Sequence, residues 1–182
     1  MKKLLFMLTL LFVTTKITSN YLEPFTIQLE SKWIDLENST AKIKKFGGKW
    51  ILAGSITFKK RSSETVYLDE IKLSWKGKTL SNLTGSLYVV NKTFLPIEKY
   101  LVCDSLWKAS EQQLLLKFDK EHTLGARNTY YLVLTVPEDL EDTVKKGEFT
   151  IEKQSLPCPF QDYLQNNKIA LSLNNAKPSI TN

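Results

Sequence analysis

Residues 70–77, EIKLSWKG, alternate without a break: Ile71, Leu73 and Trp75 on one side, Lys72, Ser74 and Lys76 on the other. Successive side chains of an extended chain point to opposite faces, so the pattern fits a strand with one buried face. A helix would repeat its apolar stripe every three or four residues instead. The same period runs through residues 49–61, KWILAGSITFKKR, where Trp50, Leu52, Ile56 and Phe58 are expected on one face. Ser55, Thr57 and Lys59 then fall on the other. Further strands are expected at 25–34, 84–90, 100–107, 113–118, 129–136, 148–153 and 168–173. The segment TYYLVLTV is apolar on both faces, which places it centrally in a sheet.

Turn residues punctuate these segments at Gly47-Gly48, Arg61-Ser62-Ser63, Lys76-Gly77-Lys78 and residues 125–128. About eight to ten short strands at such spacing predict an all-β fold, an antiparallel β-sandwich with immunoglobulin-like architecture. One short connecting helix is expected near 137–146. Pro137 suits its first turn, Glu138, Asp139, Glu141 and Asp142 lie toward the positive end of its dipole, and Lys145 and Lys146 toward the negative end. Gly147 is expected to stop it in the left-handed conformation.

The N-terminus reads as an export signal. Lys2 and Lys3 precede an apolar run from Leu4 to Val13, and a polar stretch follows with Ser19 as a small residue. The run is about half the length a bilayer span needs. The expected organisation is a signal peptide over 1–19 and a single domain over 20–182, secreted, periplasmic or at the cell surface, with no transmembrane segment in the mature chain. Three lysines leave with the signal, so 22 basic residues face 19 acidic ones. That surplus is ordinary solvation, and nucleic acid is not an expected partner.

Few residues offer chemistry. His122 is the only histidine, and it follows Lys120 and Glu121 in a polar stretch. A Cys103/His122 nucleophile is disfavoured where thiols oxidise. Two cysteines 55 apart and one histidine lack the spacing of a zinc site. The acids at 138–142 lack the alternation and glycine of a calcium loop. Asp69 and Glu70 are neighbours on a strand, face opposite ways and make a poor acid–base couple. No cofactor, metal or catalytic residue is therefore expected. Lysines near Trp33, Trp50 and Trp75 invite a stacking groove, but Trp50 and Trp75 fall on apolar strand faces and read as core.

Two cysteines in an exported domain point to an intramolecular bridge between Cys103 and Cys158, pinning a proline-flanked loop, SLPCPF, onto the strand that holds Cys103. The sequons at Asn38, Asn82 and Asn91 become glycosylation acceptors if the source is eukaryotic.

Two family patterns bear on the architecture. The cysteine pair resembles that of immunoglobulin-like sandwiches, but Trp107 follows Cys103 by only four residues and no Tyr stands two before Cys158, so only the architecture carries over. Gly48-Lys49-Trp50 resembles the G-x-W of lipocalins, which implies a lipocalin-like β-barrel as the alternative fold. The expected function is a non-catalytic binding or structural and adhesion module, acting through loops or a sheet face on a protein or surface glycan. The alternatives are a β-barrel carrier of a small apolar ligand, with Trp50, Trp75 and Phe58 lining it, and a secreted hydrolase.

Overall fold

The computed structural model of the chain describes residues 24–36, 48–89 and 98–175. The expected signal segment, Asn38 and Asn91 lie outside them. Nine strands occur among the described residues: β1 (Phe25–Asp35), β2 (Lys49–Lys60), β3 (Val66–Lys76), β4 (Thr84–Tyr88), β5 (Leu101–Lys108), β6 (Gln113–Leu124), β7 (Arg127–Val136), β8 (Glu148–Ile151) and β9 (Ala170–Ser172). Every pairing is antiparallel, in the order β1-β2-β7-β4-β5-β6-β3-β8-β9. β5 turns the corner: Leu101, Cys103 and Asp104 pair with β4, while residues 105–108 pair with β6. The chain is thus an antiparallel β-sandwich whose layers, β1-β2-β7-β4 and β6-β3-β8-β9, share β5. On the far side β1 packs against β9, so the sandwich is nearly closed into a barrel.

One apolar core fills the space between the layers. Ile56, Phe58, Leu132 and Leu134 come from one, and Leu68, Ile71, Leu73, Trp75, Leu114 and Phe149 from the other. As its composition implied, β7 is central, flanked by β2 and β4. Trp75 and Phe58 meet core rings: Trp75 lies 5.0 Å from Phe149, and Phe58 lies 5.2 Å from Phe160.

The face expected for β2 is only half right. Ile56 and Phe58 do point inward, but Trp50 and Leu52 point out, and Ile51 and Ala53 take their place in the core. The cause is a register shift: β2 advances from Leu52 to Gly54 while β7 advances from Val133 to Leu132. One extra residue in a strand reverses every side chain beyond it. Gly54 is required at this bulge, since a Cβ there would sit 2.3 Å from the Glu30 carbonyl oxygen and 2.6 Å from Leu171 Cδ1.

The expected connector forms as a 3₁₀ turn at Glu138–Leu140 running into α1 (Glu141–Lys145), docked by buried Val144. Gly147 plays a different part from the one expected. Its backbone is not left-handed; a Cβ there would fall 1.9 Å from Trp75 Cη2. A second helix, α2 (Cys158–Asn166), was read from sequence as a loop. Its prolines mark a start rather than a break, because Pro157 caps it and Pro159 lies in the first turn, where no N–H is needed. Phe160 is its buried anchor. Among the described residues no helix is long and apolar enough to cross a membrane.

Candidate binding face

The outward face of β1, β2 and β7 is built in cross-strand rows. Register places Thr26, Lys59 and Arg127 side by side, then Gln28, Thr57 and Thr129, then Glu30, Ser55 and Tyr131. Phe58 and Asn128 face inward between the first two rows, which fixes the other residues outward. Ser55 and Thr57 are 4% and 7% exposed and form a floor, while Gln28, Glu30 and Arg127 stand exposed above it. Thr57 and Thr129 share a hydroxyl hydrogen bond of 2.9 Å, and Ser55 Oγ donates to Glu30 at 3.4 Å. Lys32 is paired with Glu30 at 3.6 Å and lies 5.8 Å above the Tyr131 ring.

Beyond Tyr131 the bulge turns the same face apolar. Leu36, Leu52, Tyr88 and Val133 form a second buried cluster, with Ile34, Trp50, Tyr100, Leu101 and Tyr131 packed on it. At its border Ser86 Oγ donates to Asp104 at 2.6 Å. Burial raises the Tyr88 phenol, and the Asp104 charge adds to that. The face therefore grades from cations through hydroxyls and an amide to aromatic rings. Sequence reasoning assigned Trp50 to the main core and missed this second cluster. The glycine inside a strand pattern, Gly54 in AGS, was the available signal for the bulge.

The three tryptophans do not make a groove together. Trp75 is core, with its Nε1–H donated to the Lys78 carbonyl at 2.9 Å. Trp50 belongs to the outer cluster, and Trp33 packs at the core's edge with Lys145 5.9 Å over its ring. Asp69 is exposed, whereas Glu70 is engaged with Lys72 at 2.8 Å. Glu141, within the acidic run, accepts from Lys49 at 2.6 Å, and that hydrogen bond holds the Lys49 ammonium above the ordinary lysine range. Asn82 is exposed just before β4.

The expected Cys103–Cys158 bridge is not present; both residues are thiols. Alternation in β5 turns Cys103 into the core, 5% exposed. Cys158 opens α2 with its side chain in solvent, and the helix packs on β1, at the end of the strand order rather than beside β5 in its middle. The prolines that seemed to define a loop instead start a helix whose inward residue is Phe160, not Cys158. Thiol titration of the folded protein should accordingly show one fast-reacting group, Cys158. Cys103 should react only on unfolding, and loss of the fast group in Cys158→Ser checks the assignment.

Cys103 and Tyr130 belong to the main core, and half-buried His122 packs at its edge against Tyr130 and Phe118. Tyr130 is fully buried, and its ring stands 5.6 Å from His122 and 6.0 Å from Phe118, on which His122 stacks at 5.1 Å. Burial lifts the Tyr130 phenol above its ordinary range, reinforced by Cys103, and lowers the His122 imidazole. Cys103, 5% exposed, lies within the core.

No protein-family model matches the chain, and no curated protein matches it. Among solved structures the chain is similar to the CBM32-1 and CBM32-2 carbohydrate-binding domains of ZmpB from Clostridium perfringens. The identity is 12%, the TM-score 0.28, and the match covers 62% of this chain and 34% of that one. The same domains in complex with GalNAc match at 12% identity and a TM-score of 0.28, over 62% of this chain and 33% of that one. The chain thus spans about a third of the length of the structures it matches.

Proposed function

We propose that the chain is an exported, non-catalytic binding module that takes a carbohydrate on the outward face of β1, β2 and β7. The observation that carries this is the ordered row structure of that face. Exposed Gln28, partly exposed Thr129 and the Tyr131 ring are held in fixed relation over the Ser55 and Thr57 floor. Sugars present hydroxyls at their edges and apolar C–H groups on their faces. A rigid sheet offering amide and hydroxyl partners beside an aromatic ring suits both, and placing the groups on strands rather than loops limits the ordering cost of binding.

The test is retention on polysaccharide-containing gels and a broad glycan panel. Retention of the native protein is expected on at least one polysaccharide. Gln28→Ala and Tyr131→Leu should each weaken it by about tenfold while the protein still melts cooperatively. A folded protein that binds no glycan of the panel would overturn the reading.

A further inference from the structure

At one end the candidate face becomes basic. Lys59 and Arg127 are direct cross-strand partners on the outward side, beside Thr26 of β1. Lys60 and Arg61 continue β2, and their backbones are fixed by bonds to the Ala126 and Pro24 carbonyls at 2.9 and 2.8 Å. Arg61 and Arg127 are exposed, and Lys59 and Lys60 partly so. Lys60 Nζ donates to the Glu64 main-chain carbonyl, not to a carboxylate. Among the described residues Lys59, Lys60, Arg61 and Arg127 form no ion pair.

Like charges directly opposite on adjacent strands destabilise a sheet. Lys59 and Arg127, with Arg61 beyond them on the same side, raise the local potential and draw an anion of matching spacing, whereas Lys60, paired with Phe25, turns to the opposite side. The patch is continuous with the hydroxyl and amide rows of Gln28 and Thr129, so one extended ligand can lie across both. No aromatic residue shares the outward rows with the cations: the nearest ring there is Tyr131, two rows away. Stacked nucleic-acid bases would need such rings beside the charges.

We propose, building on the reading of this face as a glycan-binding surface, that its ligand is a polyanionic polysaccharide. Its sulfate or carboxylate groups would be held by Lys59, Arg61 and Arg127. Arg127 and Arg61 supply planar, forked donors suited to such groups, and Lys59 supplies a point charge. The polyanion's sugar rings continue over Gln28, Thr129 and Tyr131.

Binding of the full folded chain to heparin, polygalacturonate and uncharged dextran is compared at low and physiological salt, for the native protein and for K59Q/R127Q. The native protein should bind one of the two anionic polymers tightly and release it as salt rises. K59Q/R127Q should weaken that binding by about tenfold or more with an unchanged melting temperature, because both side chains lie outside the core. If dextran binds as well as the anionic polymers and the variant matches the native protein, the polyanion assignment fails while the glycan reading stands. If no polysaccharide binds, the glycan reading itself fails. A DNA duplex or an anionic phospholipid vesicle bound as tightly as the polysaccharide, and lost equally in K59Q/R127Q, would show an unselective charge surface and overturn the proposal.

Discussion

Phe160→Ala should lower the stability of the folded protein by about 3–5 kcal/mol, the usual range for emptying a buried aromatic site. Phe160 is fully buried, and it is the inward anchor of α2. Its ring meets Phe25 edge-on at 5.3 Å and Phe58 at 5.2 Å, so it joins the helix to both β1 and β2. Each such edge-to-face pair adds about 0.5–1.5 kcal/mol beyond area burial. The cavity cannot collapse easily, because Phe58 is held in turn against Tyr130 at 6.1 Å. Denaturant titration checks the result: the midpoint should fall with the slope unchanged. A drop below about 1 kcal/mol would mean that α2 merely lies on the sandwich and does not anchor there. Phe160→Leu, which keeps most of the volume, should recover more than half of the loss.

Gly147→Ala should be about as damaging as a large core deletion, although it adds a single methyl group. The new Cβ would stand 1.9 Å from Trp75 Cη2 and 2.2 Å from Cζ2. The indole cannot swing aside. Gly77 lies against it, where a Cβ would meet Cζ2 at 2.8 Å; its Nε1 is bonded to the Lys78 carbonyl, and Phe149 packs 5.0 Å away. Overpacking of this kind costs about 1–3 kcal/mol and more where backbone must move, so a loss of about 3 kcal/mol is expected. In a chain of this size that lowers the melting temperature by roughly 6–12 °C. A double-mutant cycle isolates the cause: in a Trp75→Leu background the added methyl should cost much less. Equal cost in both backgrounds would sink the steric account.

The contrast between these two positions shows what could be read in advance. Gly147 was legible as a residue needed after a helix, and the wrong reason was assigned to it. Helix-stop chemistry is local, whereas the indole that forbids a side chain comes from a strand more than 70 positions earlier. Phe160 was hidden because two prolines around Cys158 looked like a loop, and nothing local separates a proline-started helix from a proline-broken strand. The expected disulfide rested on cysteine count and export instead. Cysteine parity says nothing about whether two residues share a side of the fold.

The candidate face was half legible for a related reason. The Ser55–Thr57–Lys59 alternation was visible, and the structure keeps those residues outward. Trp50 and Leu52 went astray because one bulge at Gly54 reverses their phase, and the phase of a strand depends on its partner's register. The cation cluster assembles from β2 and β7, whose contributing residues, Lys59 and Arg127, lie 68 positions apart. The basic run at 59–61 stands in the sequence, but nothing there shows that Arg127 joins it.

An all-β chain, a connector near residue 140, a central β7 and a core that holds Phe58 and Trp75 could all be read along the chain. Each follows from a period or a turn signal confined to about a dozen residues, where local physics dominates. Packing between the layers set which strands neighbour one another, where the bulge turns Trp50 outward, why Gly147 is required, and that Cys103 and Cys158 stay apart. Those outcomes depend on register and packing between distant segments, which are fixed when the layers close on a shared core and not before.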